Sequence, residues 1–162
     1  METHLKQTAE AVSRSSGFVR KLPANPQPVS FGLRCGAFLL DYILTLLIPA
    51  VTVSLALFSK RAWPSVAYFV LTIGYLATLG LVLFNWIYLC GRDGQSLGQR
   101  LVGIRIVRVG GEPMNYRTAT LRHLVGYPLS FACAGLGVIW MLFDAKQQGW
   151  HDKLAGTLVV KA

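Results

Sequence analysis

The chain has 162 residues, of which 53% are hydrophobic and 14% charged, and it carries a formal net charge of +9. Soluble domains carry about 25% charged residues. A charge content this low, with the apolar residues gathered into long runs, excludes a soluble enzyme and an extended disordered chain. The excess of 16 Lys and Arg over 7 Asp and Glu comes with no nucleic-acid-binding module, so no nucleic acid is expected as a partner. In a chain embedded in a lipid bilayer, positive charge instead records which loops stay in the cytoplasm.

Residues 1–30 are polar, with Pro23, Pro26 and Pro28 close together and no apolar core of signal-peptide length. They read as a flexible cytoplasmic N-terminal tail ahead of a membrane domain over 31–162. Residues 38–58 then form a 21-residue apolar stretch with one charge, and 66–90 form a 25-residue stretch with none. At about 1.5 Å per residue, each is long enough to cross a hydrocarbon layer of about 30 Å. The first helix is expected from Phe31–Arg34 to about Phe58, with Pro49 tolerated inside it. A linker over 59–65 precedes the second helix. Trp63 and Tyr68 mark one interface of that helix, Trp86 and Tyr88 the other, and Gly74 with Thr78 gives a small-residue packing face.

Residues 91–123 form a polar loop with six arginines. Within it Ser96 is placed to cap a short helix from Leu97. Ile104–Val109 is strand-like, bounded by Gly110-Gly111 and Pro113, and Thr157–Lys161 is also β-prone. These two strands can pair only on one side of the membrane. The third apolar segment, 124–143, is interrupted by Pro128, Gly135 and Gly137, and reads as a kinked span or a re-entrant hairpin. The positive residues number five before the first span, two in the linker, six in the loop and three after the third segment. Three full spans give an inside-to-outside ratio of 11 to 5, and a re-entrant third segment gives 14 to 2. The rule that cytoplasmic loops are positive favours the second. The expected fold is an all-α membrane protein: two transmembrane helices, a third re-entrant or kinked apolar segment, and a small cytoplasmic β-pair.

Asp41 lies inside the first apolar stretch, where a carboxylate costs about 2.5–3.5 kcal/mol at a helix centre and less near an interface. Arg34 is seven residues earlier on nearly the same face, about 10.5 Å along the axis, with Ala37 between them. Helical side chains lean toward the N-terminus, so a direct bridge is strained. Asn85, Arg122 and the polar loop are the candidate partners for Asp41. Two readings stand: Asp41 as a helix-to-helix contact, or as a proton- or cation-binding carboxylate on a transport path.

Gly94-Gln95-Ser96-Leu97-Gly98 matches the nucleophile elbow of hydrolases, but an elbow needs a strand before it, and here an apolar span precedes it. His151-Asp152 has the residue types for acid–base or metal chemistry, yet no ligand cluster lies near it in sequence, so neither metal nor cofactor is expected. Asp152 is expected to pair with a loop arginine and cap the turn toward Gly156 and Thr157. Cys35, Cys90 and Cys133 have no CxxC spacing and read as reduced thiols packed as small apolar groups.

At these residues the sequence resembles the RDD family, small and mostly bacterial membrane proteins named for one arginine and two aspartates. Arg34-Cys35-Gly36-Ala37-Phe38-Leu39-Leu40-Asp41 matches the family's arginine at the helix start and aspartate within the helix. The segment from Gly94 through Ser96, Gly98 and Gly103 to Pro113 matches its glycine–serine–glycine signature and following strand, with Gln99 where lysine is expected. Gly149 to Val160 matches its closing aspartate and the Gly156-Thr157 pair, and Arg122 its arginine before the last apolar segment. The resemblance implies a bacterial cytoplasmic (inner) membrane protein, and suggests transport of an unidentified ligand without a settled activity. Asp152 is taken as the second aspartate, with Asp144 as the other possibility. On a transport reading Arg34, Asp41 and Asp152 form the polar centre of a ligand or ion path, between protomers of a homo-oligomer or with a larger membrane partner. On the alternative reading the chain is a non-transporting scaffold or assembly module. Neither reading makes it an enzyme.

Overall fold

A computed structural model describes residues 28–162, and the expected tail lies outside them up to residue 27. Two helices, α1 (Phe31–Ser59) and α2 (Pro64–Asp93), are each long and apolar enough to cross a membrane. The chain reverses over four residues, with Trp63 N–H donating to the Ser59 carbonyl at 2.9 Å. Pro64 opens α2 at a position where no backbone donor is needed. Contacts between Asp41 and Asn85, and between Thr52 and Gly74, step in opposite directions along the chain and fix an antiparallel hairpin. Gly74 lies so close to the Thr52 side chain that any Cβ there would collide with it, whereas the Thr78 hydroxyl only bonds its own helix at the Gly74 carbonyl. Near its end α2 widens into a π-helical stretch over Leu83–Leu89, in which Asn85 and Leu89 are buried.

Past α2 come α3 (Leu97–Leu101), β1 (Ile104–Arg108), α4 (Tyr116–Ala132), α5 (Leu136–Leu142), α6 (Trp150–Ala155) and β2 (Thr157–Lys161). β1 and β2 pair antiparallel, with Ile104 opposite Lys161 and Arg108 opposite Thr157. Pro28 bridges to Val160, and Val29 N–H donates to the Val159 carbonyl at 3.1 Å. Ile106 N–H donates to the Gly94 carbonyl at 2.7 Å. The start of α1, the end of α2 and the chain's last strand therefore meet at one end of the hairpin. Ile104, Ile106 and Val159 point inward there and share a core with Val29, Ala37, Cys90, Met114 and Ala119.

The third apolar segment is a bent pair: α4 and α5 turn by 106° at the break over residues 133–135. Ala134 and Gly135 both take positive φ at the break, 53° and 77°. Since β2 returns to β1, the bent pair enters and leaves at the same end of the hairpin. Its helix begins earlier than expected. Asn115 caps it, accepting from Thr118 N–H at 2.8 Å, so Arg117, Arg122 and His123 lie on a helix and not in a loop. Two further expectations are corrected. Cys90 alone of the three thiols is packed inside, while Cys35 and Cys133 are exposed. Trp86 turns inward from the expected belt and stacks on His123, ring centroids 5.8 Å apart.

Candidate functional site

Two polar clusters grow from one face of α1. The first is built on Asp152, which is fully buried. Arg34 Nη1 reaches Asp152 Oδ2 at 2.8 Å, and Arg122 Nη2 reaches Oδ1 at 2.9 Å. Gly149 N–H at 3.2 Å and the Thr157 hydroxyl at 3.2 Å complete the carboxylate's donors. Arg34 also donates to the Val29 carbonyl at 3.2 Å, tying the short segment before α1 to the same knot. Burial alone would raise the Asp152 pKa, but the Arg122 guanidinium, the neighbouring His151 ring and the Arg34 guanidinium hold it below the usual carboxylate value. It is an anion clamped between two cations, and it joins α1, α4, α6 and β2.

The second cluster is built on Asp41, also buried. Its Oδ1 accepts from Asn85 Nδ2 at 2.8 Å and from Gly98 N–H at 2.7 Å, and its Oδ2 accepts from the Ser96 hydroxyl at 2.5 Å. Asn85 Oδ1 takes Leu97 N–H at 2.8 Å, and Ser96 Oγ takes Gln99 N–H at 3.2 Å, while Gln99 Oε1 returns to Ser96 N–H at 3.0 Å. The first N–H groups of a helix have no intrahelical partner. Here α1, α2 and the Ser96 capping box supply partners to those of Leu97, Gly98 and Gln99 at the start of α3. Gly98 is required by contact: a Cβ would run into the Ala37 carbonyl oxygen and lie 3.0 Å from the Asp41 carboxyl carbon. The Gly-x-Ser-x-Gly stretch is thus a docking element, and the Ser96 hydroxyl is committed to Asp41. Neither Arg34 nor Arg122 bridges to Asp41.

Behind the Asp152 cluster lies a column of stacked rings. Trp86, His123, Tyr127 and His151 follow one another with centroid spacings of 5.8, 5.2 and 4.1 Å. Burial, opposed by the Asp152 charge and helped by those of Arg122 and Arg34, pushes His151 down from 6.5 to about 4, so it is neutral at neutral pH. His151 Nε2 is 3.6 Å from Asp152 and its Nδ1 is 3.4 Å from the Ser130 hydroxyl. The order serine, histidine, aspartate is that of a hydrolytic triad, but Ser130 is fully buried and its hydroxyl donates to the Gly126 carbonyl at 2.8 Å. Beside this column Arg34, Asp41, Arg122 and His123 line a cavity of about 680 Å³. Among the described residues no three His, Cys, Asp or Glu side chains converge as metal ligands would.

The sequence model of the RDD family matches residues 28–156, the stretch that carries both clusters. The chain belongs to the RDD family. It is 31% identical over 140 residues to the uncharacterized protein YckC of Bacillus subtilis, covering 84% of this chain and 86% of that one. It is 29% identical over 77 residues to the uncharacterized protein RP437 of Rickettsia prowazekii, covering 48% of this chain and 40% of that one. No solved structure matches.

In this RDD chain the arginine at the start of α1 meets Asp152 and not Asp144. Asp144 lies near the surface, paired with Lys153 Nζ at 2.6 Å and accepting from Lys146 and Gln148 N–H. Arg34 and Asp152 come together as one cluster, while Asp41 forms its own. The small motif residues have local duties. Gly94, at φ 69°, turns the chain from α2 against the Ile106 carbonyl; Gly103, also at φ 69°, links α3 to β1; Gly156, at φ 61°, ends α6. His123 and Tyr127 join the column without any local motif to mark them, although His123, Tyr127 and Phe131 recur at four-residue spacing. That signal is visible once the helix is started at Asn115.

Proposed function

We propose that the chain is an integral protein of a bacterial cytoplasmic membrane, in which α1 and α2 cross as a hairpin and the α4–α5 pair is re-entrant from the cytoplasmic side. The pairing of β1 with β2 supports this, because a third full crossing would separate the strands. The 14-to-2 distribution of positive charge and the bacterial relatives support the orientation and the membrane. Single cysteines at Ser65 and Ala162, placed in a chain lacking Cys35 and Cys133, test it with a membrane-impermeant maleimide on intact cells. Labelling at Ser65 alone is expected. Labelling at both positions would refute the re-entrant arrangement.

Within that membrane, the geometry is best read as a non-enzymatic binding and assembly module whose ionised side chains fasten its parts. One observation carries this reading: the Asp41 carboxylate is engaged by three neutral donors that hold α3 against both long helices. A carboxylate so engaged fixes structure and offers little to a passing cation. Asp41→Ala is then expected to lower abundance and thermal stability, and Asp41→Asn to do so partly, since an amide oxygen keeps two of the bonds. Reconstituted protein is expected to carry no Asp41-dependent flux of H⁺, Na⁺ or K⁺. A fully stable Asp41→Asn protein that loses such a flux would overturn the reading in favour of transport, with a path between protomers or with a larger partner.

A further inference from the structure

The cavity between α1, α2 and the α4–α5 bend has a volume of about 680 Å³, within the range of about 300–1,000 Å³ typical of small-ligand sites. Phe38, Leu39, Trp86, Phe131, Val138 and Met141 make its wall apolar. Its polar capacity is one-sided. Arg122 is 2% exposed, gives Nη2 to Asp152, lies 5.9 Å from the centre of the Tyr127 ring, and leaves Nε and Nη1 buried with no hydrogen-bond partner of good geometry. His123 Nε2 beside it is also buried without a partner. Buried polar groups in folded proteins are nearly always satisfied, so each exception needs a reason.

The charges around the cavity decide what would satisfy them. Arg34 and Arg122 are positive; Asp152 is consumed by both, and Asp41 is occupied by Asn85, Ser96 and Gly98. What is left free on Arg122 is hydrogen-bond donation, which calls for an acceptor and favours an anionic one. The outer rim is formed by Leu39, Tyr42 and Phe131, which are 58%, 46% and 50% exposed on the flanks of the helices. On the membrane reading, on which this inference rests, that rim opens to the hydrocarbon.

We propose that the cavity binds an anionic amphiphile, with a carboxylate or phosphate head at Arg122 and His123 and a hydrocarbon chain along the apolar wall. A single-chain lipid fits both parts of this description. A free phosphate fits only the head, and a long-chain alcohol only the tail.

Cys35 lines the cavity and is exposed, whereas Cys90 is buried, so a Cys133→Ser chain leaves Cys35 as the reactive thiol. In nanodiscs of neutral phosphatidylcholine, the rate of Cys35 alkylation by a bilayer-permeant maleimide is measured with oleate, lysophosphatidic acid, oleyl alcohol or inorganic phosphate added. The two anionic amphiphiles are expected to slow alkylation at least tenfold, and the alcohol and phosphate less than twofold. Arg122→Lys keeps a charge for Asp152 but loses the planar set of donors, and is expected to weaken protection about tenfold. Leu39→Trp narrows the rim without touching either cluster, and is expected to abolish protection in a normally folded chain. Equal protection by oleyl alcohol, protection by phosphate alone, no protection by either amphiphile, or full protection in Leu39→Trp would each overturn the proposal. Failure of the membrane reading would instead change the Ser65 and Ala162 labelling pattern, which needs no amphiphile.

Discussion

Replacing Asp152 by asparagine removes one charge and almost no volume. The new amide oxygen would still accept from Gly149 N–H, and the shape of α6 would be kept. What is lost is the anion between two buried guanidinium groups, at 2.8 and 2.9 Å. At a charge separation of about 4 Å and an effective dielectric of about 20, each pair is worth about 4 kcal/mol of gross attraction. Desolvation and the repulsion between Arg34 and Arg122 take much of this back. Removing one partner of a buried ion pair costs about 3–5 kcal/mol in proteins, because the other charge stays buried. For a chain of this size that is a fall in Tm of about 6–20 °C. Cys90 offers the assay, since its thiol is 0% exposed in the folded chain and becomes reactive on unfolding. With Cys35 and Cys133 replaced by serine, a thiol-reactive fluorophore reports the transition during a thermal ramp. Asp152→Asn combined with Arg122→Met should recover much of the loss, since the methionine leaves no second uncompensated charge. A shift below about 2 °C in Asp152→Asn, or no recovery in the double variant, would refute the clamp as the source of stability.

The remaining predictions use the same unfolding assay unless stated. His151 titrates at about 4 when folded, against 6.5 for an ordinary histidine. A folded pKa below the unfolded one means that the unfolded chain binds the proton first, so stability is full above pH 6.5 and falls as pH drops toward 4; the loss is about 3 kcal/mol over that window, and His151→Gln should flatten it. Asp152, also depressed, adds its own loss only below the ordinary carboxylate range. Gly98→Ala should destabilise by about 3 kcal/mol, because the methyl group forces α3 off the Ala37 carbonyl. Gly103→Ala meets nothing within 4 Å and should cost only about 1 kcal/mol, from its positive φ. Asp144→Asn removes a surface pair with Lys153 and should change stability by less than about 1 kcal/mol; an effect as large as that of Asp152→Asn would mean the wrong aspartate has been assigned to Arg34.

The local features of the fold were legible wherever one short stretch of chain decides them. The two long helices follow from uninterrupted apolar length, the α3 start from Ser96 with Gln99 three residues on, and the strands from β-branched runs with glycine beside them. The α4 start was hidden, because Arg117, Arg122 and His123 make its first turns look like loop, and the charge that allows Arg122 to be buried is supplied by Asp152, 30 positions later. The partners of Asp41 lie 44, 55 and 57 residues away. Residue type could nominate Asn85 and the polar loop for that role, but only the packing of α3 under α1 shows that a backbone N–H, that of Gly98, is among the donors. The cavity had no signature at all, since its wall comes from separate segments and its free donors are defined by what fails to reach them.

The two clusters on α1 also set a schedule. Asp41 finds its last donor 57 residues downstream, and Arg34 waits 118 residues for Asp152. During synthesis the first helix is therefore made with both charges bare, acquires a closed carboxylate once α3 has emerged, and keeps an unmatched arginine until α6 has been made. A product cut short before Asp152 has both long helices and α3 in place and still displays two uncompensated guanidinium groups. The arginine at the head of α1 is thus matched only after α2, α3, α4 and α5 have all been made, because its carboxylate lies beyond every one of them in the chain.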